Sequence, residues 1–189
     1  MSPRADAVRS RERILEVARQ HDARSLRLND IAREAGVGIG TVYRHFPTVH
    51  ALIEALSLDS LTRLIDAARV AIAEPDALAA LRGFLEHALD LQLADAGLEA
   101  VLIDLARTDP AVHSECAAAR STVSSGYADV LARAQRDGVV RDDISSAQLQ
   151  QLVCGIEHAV RLGAPADRHV LLDVLLAGIR PVPAAVTAR

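Results

Sequence analysis

Lysine is absent from the chain, and all 21 basic residues are arginine. Tryptophan is absent too, with two phenylalanines, two tyrosines and one methionine making up the rest of the bulky, soft side chains. Beside abundant alanine, the arginine-only usage points to a GC-rich coding genome more than to a function. Cys116 and Cys154 are the only cysteines, too few for a disulfide framework and too far apart for a zinc pattern. The seven histidines are scattered, and His45 and His50, five apart, have no third ligand in evident reach, so no metal is expected. No apolar run reaches the roughly 18 residues that a membrane span needs. Met1-Ser2-Pro3-Arg4-Ala5-Asp6 opens without an apolar signal segment, so a soluble cytoplasmic protein is expected. Glycine-rich phosphate loops, nucleophile elbows and paired-acid motifs are all missing. An enzyme, catalytic residues and a cofactor are therefore not expected.

What is present is helix. At 189 residues the chain can bury a core without staples. Apolar positions recur at helical spacing nearly throughout, and no stretch alternates with period two. The pattern predicts an all-α protein of nine helices: three short ones before Phe46 and six longer ones after it. Gly36-Val37-Gly38 stops the second helix, since glycine accepts the left-handed conformation beyond a helix end. Thr48 is placed to cap a fourth helix over 49–73. Glu74-Pro75-Asp76 ends it, and a fifth covers 77–94. A sixth is expected near 98–107, and a seventh from Asp109-Pro110 to about Arg136. The eighth, capped by Ser145 or Ser146, runs to about Leu162, and the ninth covers 166–179.

Charge divides along the chain. Residues 1–50 carry a net +3 and residues 51–189 a net −7, which suits a nucleic-acid reader attached to a body with a second role. The segment Leu28–Phe46 has the physics of a helix-turn-helix. Ile31, Ala32 and Ala35 bury one face of the first helix, Gly36 and Val37 make the turn, and Val42 and Phe46 pack the second helix back. Ile39, Gly40, Thr41, Tyr43, Arg44 and His45 then point outward, where such a helix reads base edges in a major groove.

The chain resembles the TetR family of transcriptional regulators. The resemblance is carried by Arg13-Ile14-Leu15, Ala18, Asp30-Ile31-Ala32, Ala35-Gly36-Val37, Gly40-Thr41-Val42-Tyr43-Arg44-His45-Phe46 and Ala51-Leu52, over about residues 9–55. Leu81-Arg82-Gly83-Phe84-Leu85 and the stretch 132–143 are similar to a body found among actinobacterial members. The resemblance implies a tail over 1–8, a DNA-binding domain over 9–48, an effector-binding and dimerisation domain over 49–180, and a second tail over 181–189. It implies that Thr41 and Tyr43 touch phosphate or base edges near it, that Arg44 reaches bases or backbone, and that His45 lies at the phosphates. Ile39 and Gly40 come nearest the groove floor, where Ile39 can meet a thymine methyl.

Four positions depart from the family pattern. Asp22-Ala23-Arg24-Ser25 replaces a glycine break before the second helix. Arg27 replaces a capping threonine or serine, and Gly38 replaces a serine at the start of the recognition helix. Val49 stands where lysine usually contacts phosphate, so a shallower dependence of affinity on salt is expected, with Arg27 and Arg44 as compensation.

The eighth and ninth helices are apolar enough to be covered on two sides. Leu149, Leu152, Val153, Ile156 and Val160, with Leu171, Val174 and Leu175, are the expected interface of a homodimer, a four-helix contact that sets two heads on a palindromic operator. Helices four to seven would then enclose a small, largely apolar effector. Phe84, His87, Leu102, Leu105, His113, Tyr127 and His158 are the candidate lining residues. The resemblance implies a repressor, cytoplasmic and nucleoid-associated when on DNA, that a small molecule releases. The alternative is a DNA-binding regulator without such an effector, acting through a protein partner or the redox state of Cys116 or Cys154.

Overall fold

Among the described residues, ten α-helices and one short 3-10 turn follow each other and no strand occurs. The computed structural model describes residues 3–103 and 115–181. The helices are α1 (Pro3–Ala18), α2 (Leu28–Glu34), α3 (Ile39–His45), α4 (Val49–Leu56), α5 (Leu58–Ala73), α6 (Ala77–Ala94), α7 (Leu98–Ile103), α8 (Glu115–Arg136), α9 (Ser146–Leu162) and α10 (Asp167–Gly178). The chain forms two compact units, one of residues 1–61 and 95–120, the other of 62–94 and 121–189.

The all-α expectation holds, with one more helix than the pattern predicted. The helix expected over 49–73 is interrupted at Ser57, which separates α4 from α5. Ser57 is fully buried, and its hydroxyl donates to Asp95 Oδ1 at 3.3 Å. The main-chain ladder is kept on both sides, the Ser57 N–H donating to the Ile53 carbonyl at 3.0 Å and the Leu61 N–H to the Ser57 carbonyl at 2.9 Å. Asp95 also accepts from the Ser60 hydroxyl (2.7 Å) and from the main-chain N–H of Gly97 (3.0 Å) and Leu98 (3.2 Å), which caps α7. Gly97 is required at this corner, because a Cβ there would lie 2.8 Å from Ile53 Cγ2 and 3.1 Å from Ser57 Oγ. The first helix also begins earlier than expected, at Pro3, so the 1–8 tail is helical from that residue. Its proline occupies the first turn, where its missing N–H has no partner to lose. The expected start of the seventh helix at Asp109-Pro110 lies outside the described residues.

In the first unit, α1 to α4 share one core. Ile14, Leu15 and Ala18 of α1 meet Leu28, Ile31 and Ala32 of α2, Val42 of α3, and Phe46. Leu52 of α4, wholly buried, belongs to the same cluster. Burial of one such leucine contributes roughly 1.5–3 kcal/mol. Thr48 starts α4 as expected, its Oγ1 accepting from the Ala51 N–H at 3.0 Å.

In the second unit, α6, α9 and α10 pack on one another, and α8 supplies Tyr127, whose ring meets Phe84 of α6 edge-on. Two arginines close helix ends. Arg133 donates to the carbonyls of Ala71 and Ile72 in the last turn of α5 and of Pro75 beyond it, and Arg161 donates to those of Gln92 and Leu93 in α6. Terminal carbonyls have no helical partner of their own, and a cation suits the negative end of the dipole. Ser145 caps α9 through a reciprocal capping box with Gln148.

Candidate nucleic-acid interface

The turn between α2 and α3 is fixed by three local facts. Gly36 has φ 61°, the left-handed conformation in which only glycine is free of strain. The Val37 N–H donates to the Ala32 carbonyl at 3.0 Å, and the Val37 side chain packs against the core cluster. Arg13, reaching across from α1, donates to the carbonyl of Ala35. Behind α3, Val42 is fully buried and Phe46 nearly so. The recognition helix therefore sits on a packed floor that decides which face it turns outward.

Its other face is bare. Ile39 is 40% exposed and Tyr43 49%, both large apolar surfaces left in water, where most surface positions are polar. Gly40 and Arg44 are exposed, and Thr41 and His45 are half-buried. Gly38 precedes α3 and Arg27 precedes α2 as their N-caps, and neither caps its helix with a side-chain hydrogen bond. Arg27 is exposed and its guanidinium can extend beyond α2. All eight residues expected at the DNA thus lie in the first unit, on α3 or at a helix start beside it.

His45 is electrostatically tuned. Partial burial, then the charges of Arg11 and Arg44, hold its imidazole below the ordinary histidine value. Arg11 itself lies over the Phe46 ring, 5.6 Å from its centroid. The cluster is positive, with Arg11 and Arg44 exposed and His45 half-buried beside them. Nearby acids are already engaged: Glu34 with His21 at 2.8 Å, and Asp30 with Arg33 at 2.9 Å.

The residues expected to line an effector pocket are not all brought together. Phe84 and Tyr127 pair edge-on with centroids 4.7 Å apart at 73°, both buried in the second unit. His87, in the same unit, is half-buried, whereas His158 faces solvent, because α9 turns its other side toward α6. Leu102 is buried in the first unit. Leu105 and His113 lie outside the described residues. Burial, with Cys154 close by, pushes the Tyr127 hydroxyl far above its ordinary value, so it stays protonated. Sequence reasoning passed over Gln92 and Glu157, both completely buried. Each reads as one more polar position on an amphipathic helix.

The expected dimer residues also divide. Leu149, Val153, Val160 and Leu175 are buried within the second unit, because that face of α9 packs on α6 and α10. Ile156 and Leu171 are half-buried. Leu152 and Val174 remain outward, joined by Leu162 and Val170, which are 79% and 65% exposed. Cys154 is buried, which leaves its thiol little access to oxidants, and the Cys116 side chain lies outside the described residues.

Comparison with known proteins adds the family. Residues 12–56 match bacterial regulatory proteins of the tetR family, and residues 76–181 match the C-terminal domain of SbtR-like transcriptional regulators. The chain is 43% identical over 47 residues to the HTH-type transcriptional regulator SAB2452 of Staphylococcus aureus, spanning 23% of this chain and a quarter (25%) of that relative's length. It is similar to the TetR transcriptional regulator SCO0520 of Streptomyces coelicolor, at 32% identity over 91% of this chain and 99% of that one, with TM-score 0.55. The TetR transcription regulatory protein of Mycobacterium vanbaalenii is 34% identical over 95% of this chain and 100% of that one, with TM-score 0.48. FadR of Bacillus subtilis, solved in complex with stearoyl-CoA, shares the fold at 18% identity, covering 92% of this chain and 99% of that one, with TM-score 0.56.

Proposed function

Because the chain belongs to the TetR family of bacterial transcriptional regulators, we propose that it is a cytoplasmic repressor that binds a palindromic operator as a homodimer and leaves it when a small molecule binds the body. One observation carries the reading at the DNA. The outward face of α3 offers Ile39, Thr41, Tyr43, Arg44 and His45 from a helix locked at its back by Val42 and Phe46. A helix packed in place before binding spares the cost of ordering its backbone on DNA. In this reading Arg27, Gly38, Thr41, Tyr43 and His45 position the head on phosphates, while Ile39, Gly40 and Arg44 meet the groove.

The outward apolar residues Leu152, Leu162, Val170 and Val174 are the surface that a second copy of the chain covers. Two heads would then meet half-sites about one helical turn, roughly 34 Å, apart. FadR of Bacillus subtilis, a protein of the same fold, binds stearoyl-CoA, which supports a body that holds a small molecule. Whatever the effector, it can move the DNA-binding equilibrium only by its difference in affinity for the two states.

The test is to mix the purified protein with sheared DNA of its own genome at about 0.15 M salt, fixed because phosphate-driven affinity depends on it. Retained fragments are then sequenced. A few fragments sharing a palindrome are expected, and extracts of the same cells should release some of them. Uniform retention of all fragments, or none, would refute sequence-specific reading by this head.

A further inference from the structure

The second unit buries more hydrogen-bonding groups than it pairs. Gln92 of α6 is 0% exposed, and neither its amide nitrogen nor its side-chain oxygen has a hydrogen-bond partner among the described residues. The hydroxyl of Tyr127 on α8 is buried and unpaired in the same way. Groups of this kind cost roughly 1–3 kcal/mol each, and native interiors pair the great majority of them. Leucine and phenylalanine would fill these two positions at no such cost.

The two groups belong to one seam. Arg161 of α9 donates to the main-chain oxygen of Gln92 at 2.8 Å and also holds the fully buried carboxylate of Glu157. Gln92 therefore lies beside the Glu157–Arg161 turn of α9. Two turns earlier on α6, Phe84 stands against the Tyr127 ring, and Cys154 of α9 lies near the same tyrosine. These pairings run α6 parallel to α9. Phe84 and Gln92 are eight residues apart, about 12 Å along a helix, with Ala88 fully buried on the same face between them.

Charge narrows what fits. Arg161 is committed to Glu157 and to the last carbonyls of α6. An anion brought to this seam would meet a buried carboxylate with that cation already engaged, which is costly in a poorly hydrated interior. The amide of Gln92 offers one donor and one acceptor side by side, the complement of another amide.

We propose that Gln92 and Tyr127 form a recognition site between α6, α8 and α9 for an uncharged ligand whose apolar body carries an amide or lactam. The proposal deepens, and rests on, the reading of the body as the effector-binding part.

The test uses the full chain and two fragments of matched shape, cyclohexanecarboxamide and cyclohexanecarboxylate, titrated by ligand-observed NMR. The amide should bind at least tenfold more tightly than the carboxylate. Gln92→Leu should weaken the amide at least tenfold and unfold no earlier than the wild type, since it removes an unpaired group. Tyr127→Phe keeps the ring against Phe84 and should weaken the amide with an unchanged melting temperature. Equal binding of the carboxylate, no binding of the amide, or full binding by Gln92→Leu would overturn the site. So would an earlier melt of Gln92→Leu, which would make Gln92 a packing residue. DNA retention is measured on the same samples. Amide binding that leaves DNA retained keeps the site and removes effector release. Release by cell extract without amide binding does the reverse.

Discussion

Arg13 of α1 donates a guanidinium N–H to the carbonyl of Ala35, the residue before the left-handed Gly36. A side chain 22 residues away thus holds the oxygen that the end of α2 leaves unpaired, and the turn into the recognition helix inherits its geometry from α1.

Arg13→Met keeps the aliphatic stem and removes the donor. The part-buried carbonyl then loses its partner at a cost of roughly 1–3 kcal/mol. Thermal unfolding followed by circular dichroism should shift down by roughly 2–4 °C for each kcal/mol lost. An unchanged melt would mean that water replaces the guanidinium without loss.

Tyr43→Ala should weaken operator binding and leave folding and association unchanged, because the ring is already half in water. Arg44→Ala should cost about 1–3 kcal/mol and relax the preference at one base pair. Binding to operator variants over a range of salt separates the possibilities. A loss that is uniform across sequences, with the salt slope shallower by about one, would assign Arg44 to phosphate instead.

A His45 ring against phosphate should make operator binding sensitive to pH. Its folded value is lowered by burial and by Arg11 and Arg44, so the free protein holds the neutral ring while an unfolded chain would bind a proton. Its effect on stability is therefore nil above the ordinary histidine value of 6.5 and unfavourable as pH falls below it. A phosphate against the ring favours the protonated form, so DNA binding takes up a proton and tightens as pH falls toward the lowered value. Titrating affinity against pH at constant salt should show this slope in the wild type and lose it in His45→Gln. Parallel slopes would place His45 away from the phosphates.

Leu152→Asp and Val174→Asp change outward side chains and should leave the subunit folded while sedimentation reports monomers. Ile156, half-buried, should give the same result when replaced by a charge, with some loss of stability besides. Dimers in both outward variants would move the interface off α9 and α10.

Much of this fold was legible because its causes are local. The Thr48 cap, the Ser145–Gln148 box, the glycine past α2 and the bounds of α6 all follow from residues within a few positions of the feature they explain. The break at Ser57 was not, because its partner Asp95 is 38 residues away. The surroundings of α9 are legible only in part for a related reason. Periodicity identifies an apolar stripe, but whether α6, α10 or a second subunit covers it is a tertiary fact, and Leu149, Val153 and Val160 proved to be interior. The exposed side of α3 was read correctly in outline, since Val42 and Phe46 leave only one way for that short helix to lie. Gln92 gave no signal at all, because a glutamine between two leucines looks solvated until its neighbours are known.

Leu52 sets where this protein can be cut. It fills the core beneath the recognition helix from four residues beyond Thr48, so a fragment ending at 48 would carry a leucine-sized hole in its floor. Holes of that kind cost roughly 2–5 kcal/mol, which a small helical head has little margin to absorb. Any attempt to transplant the reading head onto another body must therefore carry α4 with it, and with α4 the 95–103 segment that packs on Ile53 and Ser57.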